Sequence, residues 1–234
     1  TAGDVDGDGY SDIVIGSPSY NNGSSMEGMA LVWNGSSTGL GANGTFANAD
    51  AQSESDQAVA LYGISVSTAG DVNGDGYSDI IVGANDFDNG STNEGMAFLW
   101  LGKSAGISSG SALIKADWYA ESDKANSEFG YSVGCAGDVN GDGYSDVIIG
   151  APFYDSTFTD EGRAFLWYGS ALDLGANGNR GNAGWTYVGG QSNAQFGFSV
   201  FTAGDVNGDG YSDIIAGANL YDGGFSDEGQ AYLF

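Results

Sequence analysis

The chain repeats itself every 67 residues. "TAGDVDGDGYSDIVIGSP" begins at Thr1, "TAGDVNGDGYSDIIVGAN" at Thr68, "CAGDVNGDGYSDVIIGAP" at Cys135 and "TAGDVNGDGYSDIIAGAN" at Thr202. Such a period implies one supersecondary unit per repeat, stacked on its neighbours to bury a face that it could not bury alone. Other features keep the same step. "EGMALVW", "EGMAFLW", "EGRAFLW" and "EGQAYLF" recur in register, and Trp33, Trp100, Trp167 and Phe234 hold one equivalent position. Tyr20, Phe87, Tyr154 and Tyr221 hold another. "YGISV", "FGYSV" and "FGFSV", starting at Tyr62, Phe129 and Phe196, precede three of the acidic stretches.

Each unit reads as four strands. The first is "FGYSV" and its equivalents, and the acidic loop follows. The second, "SDIIVGA", is a continuous β-branched run, the pattern of a strand buried on both faces. The third is "GMAFLW". The fourth varies more: "ADWYAES" from Ala116 and "AGWTYVG" from Ala183, with Trp118 and Trp185 one period apart. The first unit has Ala51 there, so its outer strand is expected to pack less. With 42 Gly, 2 Pro and 13% aromatics the composition favours short strands and tight turns. The expected fold is all-β, a β-propeller of four-stranded antiparallel blades. A unit of this length is too long for a solenoid coil, which leaves a string of small sandwiches as the alternative.

Each acidic stretch places oxygen-bearing side chains at offsets 1, 3, 5 and 9, with glycine at 4 and 6. The sets are Asp4, Asp6, Asp8, Asp12; Asp71, Asn73, Asp75, Asp79; Asp138, Asn140, Asp142, Asp146; and Asp205, Asn207, Asp209, Asp213. Carboxylates this close repel one another unless a positive charge sits among them. Calcium takes six to eight oxygen ligands, and glycine at offset 6 permits the sharp turn that gathers them. The residue at offset 7 is expected to add its carbonyl: Tyr10, Tyr77, Tyr144 and Tyr211. Magnesium demands a tighter octahedron, and zinc lacks its usual His or Cys. About one Ca2+ per repeat, four in all, is expected. A plain Asn-Gly or Asp-Gly hairpin would explain the glycines but not the carboxylate at offset 9, four times over. The recurrent Glu27, Glu94, Glu161 and Glu228 are expected to bond backbone N–H groups.

These residues resemble the FG-GAP repeats of the integrin α-subunit β-propeller and its prokaryotic relatives. The "FG" is Phe129-Gly130 and Phe196-Gly197, with Tyr62-Gly63 as a variant. The "GAP" is Gly150-Ala151-Pro152, with Gly16-Ser17-Pro18, Gly83-Ala84-Asn85 and Gly217-Ala218-Asn219 as variants. The resemblance covers residues 1–234 as a single propeller region, with units of about 1–61, 62–128, 129–195 and 196–234, the first and last incomplete. It implies calcium in the loop from first to second strand, on one face. It also implies a protein or glycan partner on the opposite face, formed here by Ser19–Met26, Asp86–Asn93, Phe153–Asp160 and Leu220–Asp227, with Glu54–Leu61, Glu121–Glu128 and Gly189–Gln195. Phe158 and Phe225 are the expected exposed aromatics of that face.

Lys+Arg is 5 against Asp+Glu 31, a formal charge of −26. Nucleic acid and anionic membrane surfaces are therefore poor partners. No apolar run is long enough to span a bilayer, so no membrane insertion is expected. The chain has no histidine for acid–base work and a single cysteine, Cys135, at a position where the other units carry threonine. Cys135 is read as a packed thiol. The reading is a non-catalytic, calcium-stabilised structural or adhesion module, secreted or on a cell surface, where calcium is abundant. The alternatives are a lectin-like propeller and, less favoured, an accessory or catalytic part of a polysaccharide-acting enzyme, whose carboxylate pair could not be recognised by spacing. Sequons at Asn22, Asn34, Asn43 and Asn89 arise readily by chance in an Asn-, Gly- and Ser-rich chain.

Counted by strands, the first unit supplies its second to fourth strands and the last its first to third. Neither can complete the other, so these residues are expected to belong to a longer chain or to self-associate through open blade edges.

Overall fold

The computed structural model describes residues 1–41 and 43–234. Unit one forms β1 (Ile13–Ser17), β2 (Met29–Trp33) and β3 (Ala51–Glu54). Unit two forms β4 (Ser65–Gly70), β5 (Asp79–Ala84) and β6 (Met96–Trp100), then the two-residue β7 (Gly110–Ser111), a short helix α1 (Ala112–Lys115) and β8 (Trp118–Glu121). Unit three follows with β9 (Ser132–Gly137), β10 (Asp146–Ala151), β11 (Arg163–Trp167), β12 (Ala171–Leu174) and β13 (Trp185–Val188). Unit four has β14 (Phe196–Gly204), β15 (Asp213–Ala218) and β16 (Gln230–Leu233).

The sheets run β1-β2-β3-β7, β4-β5-β6-β8, β9-β10-β11-β13 and β14-β15-β16, so β1 and β16 are edge strands. Among strands of the same unit every pairing is antiparallel, and the register repeats: Ile80 faces Trp100 as Val147 faces Trp167 and Ile13 faces Trp33. The fold is therefore an array of propeller blades. The second strands β5 and β10 are buried at every residue, as their unbroken apolar runs require. In the outer two blades the same strand has one open face. Ile15 of β1 is 49% exposed and Ile215 of β15 is 40% exposed, while their equivalents Val82 and Ile148 are buried.

The "FG" pairs are not strand in units two and three. Gly63 and Gly130 adopt φ of 85°, which breaks the extended run, and the strand begins at Ser65 and Ser132. In β14 the run starts at Phe196, with a register shift before Ser199. The turn serves the joint between blades. The Gly130 N–H donates to Gly150 O of its own blade (3.1 Å), and Gly130 O accepts from Ser65 Oγ of the preceding blade (2.7 Å). Ser132 Oγ reaches Gly197 O likewise (2.8 Å). A Cβ on Gly83 would overlap Gly130 O, and one on Gly150 would overlap Gly197 O. The two glycines of the motif therefore face each other across the blade interface. Gly83→Ala is expected to lower stability by about 3 kcal/mol, because a backbone oxygen, unlike a side-chain tip, cannot swing away. Gly224→Ala, where an added Cβ meets nothing within 4 Å, should be near neutral. Urea denaturation of both variants checks this.

The outer strand of unit one is not loosely packed, contrary to the expectation from Ala51. Ala51 is buried, and β7 of unit two pairs in parallel with β3, Ser53 opposite Gly110. Ile107 and Ala112 of the same segment are buried in the core that contains Ala51. The small side chain leaves room that a strap from the next unit fills. Trp118 occupies the equivalent position in blade two, where residues 176–178 of unit three bond to the outer strand around the parallel bridge Ala120 to Gly178, and Leu174 is buried in the same core.

Candidate metal centres

Loops two to four link the first strand of a blade to its second, and loop one leads into β1, the second strand of its blade, so the four loops lie at one end of the blades. The aspartate at offset 1 organises the turn. In loop two Asp71 Oδ1 accepts from the Gly74 N–H (2.7 Å) and the Asp75 N–H (3.1 Å), and Oδ2 accepts from the Gly76 N–H (2.9 Å). Asn73 Oδ1 accepts from the Asp75 N–H and Asp75 Oδ1 from the Tyr77 N–H, each at 3.0 Å. Loops one, three and four repeat these bonds around Asp4, Asp138 and Asp205. Glycine at offsets 4 and 6 has positive φ, 73° and 90° in loop two, which lets the backbone curl around the offset-1 carboxylate.

The carboxylate at offset 9 plays a different part. It heads the second strand and is buried in loops one to three. Asp79 Oδ2 accepts from the Val72 N–H (2.8 Å), and Oδ1 accepts from the Gly102 N–H (2.9 Å), which ties the loop to the turn after the third strand. Asp12 and Asp146 make the same pairs with Val5 and Gly35, and with Val139 and Gly169. Each oxygen keeps a further lone pair. Burial, with the charges of Asp75 and Asp71, pushes the Asp79 carboxyl up to about 7. Burial, with Asp142 and Asp138, pushes Asp146 to about 6. Asp12 is raised in the same direction, again mainly by burial.

The donors suit a hard cation. In loop one Asp4, Asp6 and Asp8 each bring a carboxylate oxygen within 4.8 Å of the others. The other loops replace the middle carboxylate with an amide, and every donor is oxygen, the preference of calcium. Sequence reading missed one participant. Asn34, from the turn after β2, donates its Nδ2 to Asp6 Oδ2 (2.7 Å). Leu101 and Tyr168 stand at that position beside loops two and three, which carry Asn in place of Asp6, so the amide accompanies the extra charge of Asp6. Asn73 and Asn140 instead donate to Asp75 and Asp142 of their own loops.

The raised carboxyls fix a pH response. Below about 7 for Asp79 and about 6 for Asp146, the folded, metal-free chain holds protons that the unfolded chain, with an ordinary value of 3.8, releases. Stability therefore rises as pH falls from above 7 towards 4, because the native state binds more protons there. In chelator the melting temperature is expected to be higher at pH 5 than at pH 7.5. In saturating calcium that gain should vanish or reverse, since protons then compete with the ion. Melting curves at the two pH values check both signs.

Two other sequence features resolve structurally. Cys135 is half-buried and its Sγ accepts from the Gly137 N–H (3.2 Å), as the Thr68 and Thr202 hydroxyls accept from Gly70 and Gly204 (3.1 Å each). Burial pushes its thiol up. Glu94 Oε1 accepts from the N–H groups of Asn89 (2.7 Å) and Ser91 (3.1 Å), and Glu161 Oε1 from Ser156, Thr157 and Phe158. Glu27 accepts from Asn22, and Glu228 from Phe225. These glutamates hold the loops at the other end of the blades. There Phe158 is 46% exposed and Phe225 81% exposed.

Repeated antiparallel blades joined glycine to glycine, each with an oxygen-rich loop between its first two strands, define a β-propeller repeat protein. The chain belongs to the FG-GAP repeat family, whose model matches residues 1–33, 62–100, 129–167 and 196–234. It is 31% identical over 240 residues to Integrin alpha pat-2 of Caenorhabditis elegans, covering 92% of this chain and 17% of that protein. It is 33% identical over 161 residues to Integrin alpha-7 of Homo sapiens, covering 67% of this chain and 12% of that protein. With Integrin alpha-PS2 of Drosophila melanogaster the identity is 30% over 167 residues, 68% of this chain and 12% of that protein. The chain thus spans less than one fifth of the length of these curated relatives. Among the described residues no helix is long and apolar enough to cross a membrane.

Proposed function

We propose that this chain is a calcium-stabilised, non-catalytic adhesion or structural module that works outside the cell. The observation that carries this reading is the fourfold recurrence of one oxygen-lined loop with one hydrogen-bond pattern. Chemistry on a substrate needs one distinct constellation, whereas a stabilising ion can be used once per blade. The ligands would be Asp4, Asp6, Asp8 and Asp12 with the Tyr10 carbonyl, and the corresponding residues around Tyr77, Tyr144 and Tyr211. A bound ion would neutralise carboxylates that otherwise repel one another across the turn. The likeness to integrin α chains supports the adhesive and extracellular parts of the reading, and the absence of histidine from the sequence supports the non-catalytic part.

The partner would meet the face opposite the metal loops. Phe158 and Phe225 occupy equivalent positions on neighbouring blades of that face, among amides and hydroxyls, which also favours a second reading, glycan binding. Native mass spectrometry should count four calcium ions per chain. Fewer than four, or none, would refute the proposed stoichiometry. A glycan array in calcium then separates the two readings. Binding lost in Phe225→Ala supports the lectin. Calcium-dependent self-association by light scattering, with a blank array, supports the structural module.

A further inference from the structure

The loops are joined to one another. Ser145, at offset 8 of loop three, donates its N–H to Asp71 O of loop two (3.0 Å), and its Oγ accepts from the Asp71 N–H (3.2 Å). Asp71 is the residue around which loop two is wound. Beside it, the Tyr144 ring lies on Gly74, so close that a Cβ there would fall 2.7 Å from a ring carbon. The same joint connects loops one and two. The Ser78 N–H donates to Asp4 O (2.8 Å), Ser78 Oγ accepts from the Asp4 N–H (3.1 Å), and Tyr77 covers Gly7. Between loops three and four the Ser212 N–H donates to Asp138 O (2.9 Å) and Tyr211 covers Gly141. In loops one to three the glycine at offset 4 is thus required by the neighbouring loop's tyrosine as well as by its own turn.

Tyr144 and Ser145 sit in loop three between Asp142, whose Oδ1 accepts the Tyr144 N–H (3.1 Å), and Asp146, which heads the next strand. Whatever orders Asp142 and Asp146 also fixes the peptide on which Asp71 rests. We propose that the cation sites are coupled in series, with the Tyr-Ser pair at offsets 7 and 8 of each loop acting as the positioning residues for the first ligand of the loop before it. The proposal rests on the calcium reading above. Binding in one loop raises affinity in the adjoining loop, and by linkage the reverse holds to the same extent. Coupling falls off beyond the neighbour, since loops one and three share no such joint.

Amide hydrogen exchange reads each loop separately, because the N–H groups bonded to Asp4, Asp71 and Asp205 report loops one, two and four. The calcium midpoint of protection is measured in the intact chain, in Asp142→Asn, and in Asp142→Asn with Ser145→Ala, against Ser145→Ala alone. Crippling loop three with Asp142→Asn should raise the midpoint of loop two about fivefold, and that of loop four similarly, and leave loop one in place. In the Ser145→Ala background, which removes the Oγ bond but keeps the N–H bond and the Tyr144 contact, the same substitution should move loop two less, while moving loop four as before. A merely structural role for Ser145 would shift loop two equally in both backgrounds and would overturn the proposal. So would an unchanged loop two in Asp142→Asn, or equal shifts in loops one and two. If calcium protects none of the loops in the unmodified chain, the calcium reading itself is what fails.

Discussion

A chelator is expected to lower the melting temperature of this chain by about 20–40 °C relative to saturating calcium at matched ionic strength. An ion that binds only the folded state at about 100 times its dissociation constant contributes roughly 2.7 kcal/mol per site, and a domain of this size shifts by about 2–4 °C per kcal/mol. Four sites acting together give the range. The carboxylates concerned lie within hydrogen-bonded turns, so removing the ion leaves them repelling one another at close range in a chain of formal charge −26. Ionic strength must be matched because salt also screens that repulsion. Magnesium should restore only part of the loss, since the ligands are spaced by a backbone curl and not by a tight octahedron. Superimposable melts in calcium and chelator would remove the metal from the account of stability.

The second large effect separates the two kinds of aspartate in one loop. Asp79→Ala should cost roughly 2–6 kcal/mol, because it leaves the Val72 and Gly102 N–H groups without an acceptor in a buried site. That loss should persist in chelator, since neither bond involves an ion, and in calcium the loss of a ligand should add to it. Asp79→Asn should fall between, as its amide oxygen can satisfy one of the two donors. Asp75→Ala should behave differently. In calcium it should lose about the contribution of one ion, roughly 2.7 kcal/mol at 100 times the dissociation constant. In chelator it should be close to neutral, because an exposed like charge has been removed. Equal behaviour of Asp79→Ala and Asp75→Ala in chelator would show that offset 9 is no more structural than offset 5.

This difference in kind was not visible in the sequence, where offsets 1, 3, 5 and 9 look alike. Strand order, the four repeats and the acidic loops were legible because they are local and repeated. A β-branched run such as Ile80-Ile81-Val82 has one reading when it recurs beside the same turn. What escaped were contacts between repeats. The Ser78 Oγ bond to Asp4 joins residues 74 positions apart, and nothing in "YSD" marks its serine as a partner of another loop. Asn34 was overlooked because no equivalent amide stands beside the other loops. The strap over blade one escaped for the same reason. Residues 101–117 differ from their counterparts, and the space left by Ala51 exists only in three dimensions.

That strap bears on how the chain is made. Gln52 of β3 bonds through its N–H to Ser109 Oγ, 57 positions later. During synthesis at about 5–20 residues per second, the outer edge of the first blade waits roughly 3–11 s for its cover. Throughout that interval β3 presents unpaired backbone groups to any other nascent strand. The strap's register partners, Ser53 with Gly110 and Glu54 with Ser111, are few, so the correct closure is weakly specified until Ile107 and Ala112 reach the core. The tie from the second repeat to the first thus makes closure of the first blade a late step, completed only by the emergence of its successor.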